Sequence, residues 1–217
     1  MKNEYIKFAE SYDEQLKDKL TRDMYKEWRN ELESALKKYK IKKDILIDLG
    51  CGTGITTTPW IKKFNKVIGV ELSKPMLKEA KKKSSKIKWI NQDIVNLKIK
   101  EKVDVVTCHF DVLNHVLKEK DLQKVFNNVY EILNNNGIFI FDMMSPESFE
   151  WLKKKNMKSK QTERSYSNEE VKKMLSKFKI LKIKKQKTPE WDGKPRRLIY
   201  LVIRSLRESS CCLLAIS

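Results

Sequence analysis

The stretch DLGCGTG, residues 48–54, holds three of the six glycines of the chain within five positions. It follows a short apolar run at residues 45–49 and precedes a helical pattern at residues 55–64. Glycines at such a junction allow positive φ and let a ligand approach the backbone without meeting a Cβ atom. The start of the following helix offers unpaired N–H groups and a partial positive charge. The segment therefore predicts a strand-to-helix turn that holds a nucleotide-like ligand.

The apolar pattern after residue 44 predicts an α/β fold with a mostly parallel sheet and helices on both faces. Short runs that are apolar on both sides alternate with helical patterns, which is typical of strands covered from two directions. Before residue 40 the apolar residues recur at threes and fours and predict amphipathic helices. Residues 178–188 and 196–204 predict two further strands around a turn. The central runs are 45–49, 66–72, 86–91, 103–110 and 137–144.

The strong positive charge of the chain is a reason to consider nucleic acid as its partner. The formal net charge is +18, and clustered cations displace counterions from phosphates. Only seven of the 47 basic residues are arginine, however, and it is the planar guanidinium that favours phosphate and base-edge contacts. Scattered lysine is typical of a solvated surface. Nucleic acid is therefore kept as a partner that the sequence does not favour.

Cysteine spacing and hydropathy argue against several further classes. The four cysteines form no C-x-x-C pair and have no histidine at metal-ligand spacing, so neither a disulfide framework nor a metal site is expected. No apolar run approaches the roughly 18 to 20 residues that cross a bilayer, and residues 1–10 lack the apolar block of a signal peptide. We therefore expect a cytoplasmic protein with no membrane partner.

The glycine spacing argues against a nicotinamide cofactor. That fingerprint is G-x-G-x-x-G, whereas this chain has G-x-G-x-G and places Ile55 where the final glycine would stand. Asp48 lies just before the loop, where its charge would repel a pyrophosphate. It could instead serve a ligand with a cationic amino-acid end, directly or through water. A dehydrogenase is therefore disfavoured.

Two further acids end the next two predicted strands. Glu71 ends the second strand, where its carboxylate can accept hydrogen bonds from both hydroxyls of a ribose. Asp93 ends the third strand, where its carboxylate can accept from an adenine amino group while Ile94 donates its backbone N–H to a ring nitrogen. With Asp48, one acid stands at each of three successive strand ends, which favours an adenosine site. The alternative is that these acids only cap helices.

Five segments of the chain, in this order and spacing, resemble the class I S-adenosylmethionine-dependent methyltransferases. The resemblance covers residues 3–204. It implies a Rossmann-like, seven-stranded, mostly parallel sheet whose last strand, 197–204, is antiparallel. It also implies S-adenosylmethionine as the cofactor and S-adenosylhomocysteine as the product. The segments are DLGCGTG (48–54), VIGVELSKPMLKEAKKK (67–83), NQD (91–93), VDVVTCHFDVLNHV (103–116) and LNNNGIFIFDMMSP (133–146).

The resemblance also implies which residues bind the cofactor. Gly50 and Gly52 would pass beneath it, and Glu71 would hold its ribose. Asp93 with Ile94 would frame the adenine. The whole expected set is Tyr12, Asp48, Gly50, Cys51, Gly52, Gly54, Glu71, Leu72, Met76, Asp93, Ile94 and His109.

Within that set, Leu72 and Met76 would line the adenine pocket, and the backbone near His109 would face the methionine part. The opening YIKFAESYDEQL is similar to the N-terminal cover of the branch that includes sugar-amine and other small-molecule methyltransferases. In that branch a tyrosine that matches Tyr12 reaches the cofactor carboxylate.

The resemblance divides the chain into a cover and a main domain. Residues 1–40 are expected to form an N-terminal helical cover and residues 41–204 the methyltransferase domain. Residues 145–166 are polar and weakly periodic, and they predict a short loop or insertion at the acceptor site. Residues 205–217 contain no lysine, differ in composition from the rest, and are expected to be a disordered tail.

The expected reaction transfers a methyl group to a small-molecule acceptor, on nitrogen or on oxygen. It is an in-line displacement that depends mainly on holding nucleophile and methyl group in line and on excluding water. An amine or hydroxyl acceptor must also lose a proton to a base. His109 and His115, which follow the fourth strand, are the candidate catalytic residues, and Asn114 could orient the acceptor. Asp142, at the end of the fifth strand, could equally be a structural cap.

Two other functions remain open from the sequence. RNA or DNA methylation is supported only by the net charge, and the sequence HFDVLNH (109–115) lacks the N/D-P-P-Y/F motif of DNA amine methyltransferases. A cofactor-binding protein with an incomplete acceptor site is suggested by the short insertion at 145–166. The acceptor itself and the choice between monomer and homodimer are left open.

Overall fold

The computed structural model describes residues 9–14, 19–154, 163–187 and 195–205. Within these ranges seven strands form one sheet. They are β1 (Ile45–Leu49), β2 (Lys66–Glu71), β3 (Lys88–Asn91), β4 (Val103–Cys108), β5 (Leu133–Met144), β6 (Lys179–Lys187) and β7 (Pro195–Ile203).

The strand order in the sheet is β3-β2-β1-β4-β5-β7-β6. The first five strands pair in parallel, whereas β7 runs antiparallel to both β5 and β6. The expected Rossmann-like sheet with an antiparallel last strand is confirmed. Because β1 to β5 are parallel, their carboxyl ends meet at one edge of the sheet, together with the start of β7.

Five α-helices surround the sheet in the described part of the chain, and residues 9–14 are also helical. Three short 3₁₀ helices, Thr58–Lys62, Ile94–Asn96 and Val112–His115, lie in the connections. The α-helices are α1 (Lys19–Lys38), α2 (Lys74–Lys83), α3 (Glu119–Ile132), α4 (Pro146–Lys154) and α5 (Asn168–Met174).

Both faces of the sheet are buried, because successive side chains of β5 pack into two different core clusters. Ile138 and Ile140 belong to a core cluster with Trp28, Leu32 and other residues of α1. The alternate residues Phe139 and Phe141 belong to a second cluster with α3 and α5. Side chains alternate between the faces of a strand, so the continuous apolar run in β5 serves two separate layers. The result is a three-layer sandwich with α1 on one side and α3 and α5 on the other.

The helix boundaries follow from local sequence signals. Ser167 and Glu170 form the capping box that the sequence predicts at the start of α5. In α2, Ser73 is the N-cap residue and three lysines occupy the last turn, where cations favour the helix dipole. In α3, Glu119 and Asp121 stand in the first turn for the same electrostatic reason.

The structure differs from the sequence predictions in two connections. Residues 146–154, expected to belong to a loop at 145–166, form the helix α4, because Phe149 and Leu152 lie one turn apart and pack on Met144. Residues 55–64, expected to be an α-helix, contain only the 3₁₀ helix Thr58–Lys62. Three consecutive threonines disfavour a helix through their branched Cβ atoms, and a proline follows them.

The domain boundaries expected from the sequence remain predictions. Helix α1, placed in the cover at 1–40, shares one core cluster with the sheet through Leu32, Ala35 and Leu36. Residues 1–8 and 15–18 of the cover lie outside the described residues, as do 155–162 of the insertion and 206–217 of the tail. Among the helices that the structure describes, none is both long enough and apolar enough to cross a membrane.

Packing against β2 gives a first prediction. We expect Gly69→Ala to lower the free energy of unfolding by about 1–3 kcal/mol. The new Cβ atom would lie 2.4 Å from the Trp89 ring and 2.9 Å from the Cys51 sulfur. Urea unfolding measures the loss. In a Trp89→Leu background the smaller side chain removes the closest contact, so Gly69→Ala should lower the free energy of unfolding by less. An equal loss with Trp89 and with Leu at position 89 would contradict the predicted clash.

Candidate functional site

One side of the glycine loop after β1 packs closely against the protein, and its other side is open. Gly50 and Gly52 have φ values of 69° and 53°, in the left-handed region that favours glycine. A Cβ atom on Gly50 would lie 2.5 Å from the methyl groups of Val112, so only a bare backbone fits there. Among the residues that the structure describes, a Cβ atom on Gly52 would meet nothing closer than the Tyr12 ring, at 4.0 Å. The space for a ligand is therefore above Gly52.

The carboxylate of Glu71 holds the open side of this loop. Glu71 is the last residue of β2, and its two oxygens accept hydrogen bonds from the backbone N–H groups of Gly52 (3.0 Å) and Ser73 (2.7 Å). Each carboxylate oxygen has two acceptor positions, so Glu71 keeps capacity for further donors. The next residue, Leu72, is 66% exposed, which is unusual for a leucine in this chain. Glu71 and Leu72 thus place a charged acceptor beside an apolar surface.

Asp48 is buried under the loop rather than facing the open space. Its oxygens accept from the hydroxyls of Thr57 (2.5 Å) and Thr107 (2.7 Å). One oxygen also lies 3.4 Å from Nε2 of His109. Asp48 therefore ties β1 to β4 and to the segment that follows the loop.

His109, expected both at the cofactor and as a catalytic candidate, is enclosed by aromatic rings. Its ring stacks on Trp28 with centroids 3.8 Å apart and lies 5.5 Å from the ring of Phe110. The side chain is only 4% exposed. Neither ring nitrogen has a hydrogen-bond partner among the residues that the structure describes. His115, the other candidate, is exposed. The catalytic roles of both histidines remain predictions.

Asp93 and Ile94 lie on the connection after β3. The Asp93 carboxylate accepts from the backbone N–H of Val95 at 2.9 Å and caps the 3₁₀ helix Ile94–Asn96. This is the capping alternative that the sequence left open. Ile94 and Met76 are both half-buried, at the starts of neighbouring connections along the same sheet edge. The roles of these residues toward adenine remain predictions.

The N-terminal segment 9–14 closes over the glycine loop through Asp13. The Asp13 carboxylate accepts from the Thr53 hydroxyl at 2.5 Å and pairs with the Lys83 ammonium at 2.7 Å. Lys83 in turn donates to the carbonyl oxygen of Thr53 at 2.8 Å. Burial raises the pKa of the neighbouring Tyr12, and among the nearby charges Arg197 lowers it while Asp111 raises it. Tyr12 is therefore surrounded by the charged groups of the site.

A buried cluster of Arg197, Asp111 and Asp142 forms the wall of the site beside β4. The Arg197 guanidinium donates two hydrogen bonds to Asp111, at 2.7 and 2.6 Å, and lies 3.5 Å from Asp142. Burial alone would lower the pKa of Arg197, but the two carboxylates raise it above its ordinary value. Burial raises the pKa of Asp142, which Arg197 opposes. Arg197 is not among the site residues predicted from the sequence.

The same cluster holds a strained turn. Phe110 and Asp111 have φ values of 62° and 63°, a conformation that residues other than glycine rarely adopt. The Asp142 oxygens accept from the backbone N–H groups of Phe110 (3.0 Å) and Asp111 (2.9 Å). Asp142 therefore acts as a cap for the turn, as the sequence analysis allowed. Strain of this kind is concentrated at functional sites.

Asn114 connects the turn to the insertion rather than to an open pocket. Its side-chain oxygen accepts from Met144 N–H, and its amide nitrogen donates to the carbonyl oxygen of Arg164 at 2.8 Å. The Arg164 N–H donates back to the Asn114 carbonyl at 2.7 Å. Asn114 is fully buried. Its contacts support a positioning role for the insertion.

The cysteines at the site are not poised for nucleophilic chemistry. Burial raises the pKa of both Cys51 and Cys108, with Asp48 adding to the shift, so both thiols stay protonated. Within the described ranges no group of three or more His, Cys, Asp or Glu side chains is arranged to hold a metal ion. The groups that the described residues bring to this edge are carboxylates, backbone N–H groups and aromatic rings, which bind and position a ligand.

The buried cluster gives a second prediction. We expect Arg197→Met to lower the free energy of unfolding by about 3–5 kcal/mol, because it leaves two buried carboxylates without their cation. Lys182→Met on the neighbouring strand is the matched control. Lys182 pairs with Glu31 but is 49% exposed, so its loss should cost at most about 1 kcal/mol. Similar losses in the two variants, measured by denaturant unfolding, would show that Arg197 is not an essential buried partner.

Comparisons with known proteins associate this edge with one family. A family described as a methyltransferase domain matches residues 46–137, from β1 into β5. A Geobacillus sp. (strain WCH70) protein with a provisional methyltransferase name is 31% identical over 146 residues, which cover 65% of this chain and 58% of that protein. The malonyl-[acyl-carrier protein] O-methyltransferase of Hamiltonella defensa is 33% identical over 113 residues, which cover 52% and 42%. The chain spans less than two thirds of the length of these relatives.

Solved structures agree with the family match. An S-adenosylmethionine-dependent methyltransferase from Clostridium acetobutylicum superposes with a TM-score of 0.75 at 26% identity, over 93% of this chain and 99% of that one. The N-methyltransferase NodS from Bradyrhizobium japonicum, solved with S-adenosylhomocysteine, shares the fold with a TM-score of 0.71 at 13% identity, over 88% and 90%. With its seven-stranded sheet and glycine loop, the chain has the fold of the class I S-adenosylmethionine-dependent methyltransferases, and its residues 46–137 match a methyltransferase domain.

Proposed function

We propose that this chain binds S-adenosylmethionine at the carboxyl edge of β1 to β5 and catalyses transfer of its methyl group to a small-molecule acceptor. The observation that carries the proposal is the pair formed by Glu71 and Gly52. A carboxylate at the end of β2 faces a left-handed glycine whose missing side chain leaves open space. That arrangement fits a ribose whose two hydroxyls are free to donate.

The adenosine half of the ligand finds suitable partners on this edge. Glu71 would accept from the ribose hydroxyls while keeping its bonds to the loop. The exposed Leu72 and the half-buried Met76 and Ile94 supply apolar surface for a flat base. Asp93 holds its own connection in place, and among the described residues one of its oxygens has only a long contact of 3.4 Å, to Asn96. We therefore propose these residues as the adenosine site.

The methionine half would lie between the glycine loop, the strained turn and the N-terminal segment. Tyr12 stands over Gly52 and is the proposed partner of the ligand carboxylate. Asp48 sits beneath the loop and supplies negative charge toward a cationic amino-acid end. His109 forms part of the wall with Trp28 and would contact the ligand mainly through its backbone.

The bound cofactor supplies an already activated methyl group, so the protein needs chiefly to position the acceptor and exclude water. The Arg197 cluster and Asn114 fix the turn and the insertion that border this space. His109 and His115 stay the candidates for removing a proton, but His109 would need access past Trp28.

Binding of the cofactor gives a third prediction. Calorimetry should show affinity for S-adenosylmethionine and S-adenosylhomocysteine in the range of about 1 μM, with no comparable affinity for NAD. Glu71→Ala should weaken the binding of S-adenosylmethionine and of S-adenosylhomocysteine by about a hundredfold each, because charge-assisted hydrogen bonds to the ribose are lost. Glu79→Ala in α2 removes a nearby charge that pairs with Lys82, without touching the loop, and is the control. Tight binding of NAD would contradict the proposed S-adenosylmethionine site.

Acceptor chemistry gives a fourth prediction. A filter assay with a labelled methyl donor should show transfer to members of a metabolite panel and none to tRNA or DNA. The net charge of +18 is the only feature that supports nucleic acid, and lysine dominates it. Transfer to nucleic acid alone would overturn the small-molecule assignment. Tight cofactor binding without transfer to any acceptor would favour a binding protein with an incomplete acceptor site.

A further inference from the structure

The lysines that are scattered along the sequence are gathered at one edge of the fold. In a parallel sheet the connections that lead into the strands lie together at the amino edge. Residues 37–44, which lead into β1, include five lysines and one aspartate, and residues 98–102, which lead into β4, include three lysines and one glutamate. Residues 62–66 add three lysines at the start of β2, and residues 84–88 add two at the start of β3. The amino edge is therefore strongly basic.

The carboxyl edge, where the proposed cofactor site lies, has the opposite composition. The cations that reach it include Lys83 and Arg197, and each of them is paired with an aspartate. The positive charge of the chain is therefore concentrated away from the proposed cofactor site. The segments in which β1 to β5 end and turn contain no lysine or arginine, and they are residues 48–57, 70–73, 89–97, 105–117 and 138–151.

The helix dipole explains only part of this arrangement. Cations in the last turn of a helix are favourable, as Lys37 and Lys38 are in α1. That effect fades beyond the last turn, yet Lys42, Lys86 and Lys100 are exposed lysines outside the helices that the structure describes. Crowded like charges repel one another and oppose the compact state. A cluster of this kind therefore favours an anionic partner that relieves the repulsion.

The acids near the amino edge are shared among several lysines. Glu101 contacts Lys66 and lies 3.5 Å from the Lys88 ammonium. Glu33 of α1 pairs with Lys63 at 2.7 Å. Two carboxylates thus serve three ammonium groups, so these ion pairs leave the edge with an excess of positive charge.

A cavity of about 610 Å³ lies within this edge. The residues that line it include Lys40, Lys42 and the three consecutive asparagines at 134–136. Asp104 also lines it, but its oxygens accept from two backbone N–H groups, at 3.0 and 3.1 Å, and from the Asn134 amide at 2.8 Å. Ammonium and amide groups can donate to phosphate oxygens. The basic edge is therefore concave and supplies donors that suit phosphate.

The shape and composition of the edge favour a nucleic acid over a bilayer or an acidic protein. Seven strands about 4.8 Å apart make an edge about 30 Å long, which matches about nine nucleotides of a stacked strand. Within the described part of the chain, the exposed large apolar side chains are Leu72 and Leu117, which follow β2 and β4 on the carboxyl side. The described residues of the amino edge therefore lack the apolar anchors that insert into a bilayer or form the core of a protein interface.

We propose that the amino edge of the sheet binds the phosphate backbone of a nucleic acid without reading its base sequence. Lysine acts as a point charge that attracts phosphates, whereas contacts to base edges favour the planar guanidinium of arginine. Strands β1 and β2, of five and six residues, separate this edge from the proposed cofactor site by about 15–20 Å. The nucleic acid is thus a bound partner, and the methyl acceptor at the opposite edge is a separate ligand. The inference goes beyond the proposed function and does not depend on it.

Fluorescence anisotropy with a labelled RNA of mixed sequence tests the proposal. With an RNA of about 20 nucleotides in about 0.1 M salt, the Kd should be about 10 μM. The triple variant Lys42→Gln, Lys62→Gln, Lys86→Gln removes one exposed lysine from each of three neighbouring connections. It should raise the Kd at least about tenfold and reduce the slope of log Kd against log salt by about 2, because three phosphate contacts are lost.

A matched control removes the same charge from the carboxyl side. The triple variant Lys118→Gln, Lys120→Gln, Lys185→Gln also replaces three exposed lysines. They lie more than a Debye length of about 10 Å from the amino edge, so the Kd should change by less than about twofold. Both triple variants should keep the urea midpoint of the original chain and its affinity for S-adenosylhomocysteine.

Several outcomes would overturn the inference. Equal weakening of RNA binding by the two triple variants would indicate a general effect of net charge, and a lack of RNA binding by the original chain would refute the proposal directly. Binding to phosphatidylserine vesicles without binding to RNA would assign the edge to a membrane surface instead. A strong preference among oligo(A), oligo(C) and oligo(U) would contradict recognition through the backbone. If S-adenosylhomocysteine fails to bind while RNA binds as expected, only the proposed function is contradicted.

Discussion

The hydrogen bonds of the Asp48 carboxylate hold the site together. A buried charge is costly unless its oxygens are satisfied, and here the hydroxyls of Thr57 and Thr107 satisfy them. Those two residues lie on different elements, so one carboxylate fixes the segment after the glycine loop and the neighbouring strand β4. His109 lies against the same carboxylate and stacks on Trp28 of α1, so it links Asp48 to that helix. The loop, the sheet and the first long helix are thus joined at one buried point.

A second buried arrangement, on the other side of β4, completes the wall. Asp142 holds the left-handed turn at Phe110 and Asp111, and Arg197 from β7 is the cation that lies beside both carboxylates. The antiparallel strand β7 therefore does more than extend the sheet. It positions the Arg197 guanidinium at the carboxyl ends of the parallel strands, because Arg197 pairs in register with Met144 at the end of β5.

Much of the fold could be predicted from the sequence, because the signals involved are local. Apolar runs on both strand faces and the glycine loop predicted the sheet, and Ser167 with Glu170 predicted the start of α5. Helix α4 was missed because its apolar pair, Phe149 and Leu152, lies among many charged residues. Arg197 was missed because its partner is 86 positions away in the chain, and no local pattern separates a buried arginine from the exposed ones.

The roles of the polar residues were harder to predict than their positions. Asp93, Asp142 and Asn114 all lie at the expected edge, yet each uses its side chain to hold backbone groups. A carboxylate or amide satisfies a ligand and a backbone N–H by the same chemistry. Sequence alone cannot distinguish these uses, because the choice depends on which backbone groups the fold leaves unpaired nearby.

The short 3₁₀ helix after the glycine loop has a consequence for which nucleotides this edge can accommodate. A long α-helix starting there would align its peptide dipoles and create an anion hole for a diphosphate. Thr58–Lys62 spans too few turns to build such a macrodipole. We therefore expect the backbone, as well as the acidic side chain beneath it, to disfavour dinucleotides.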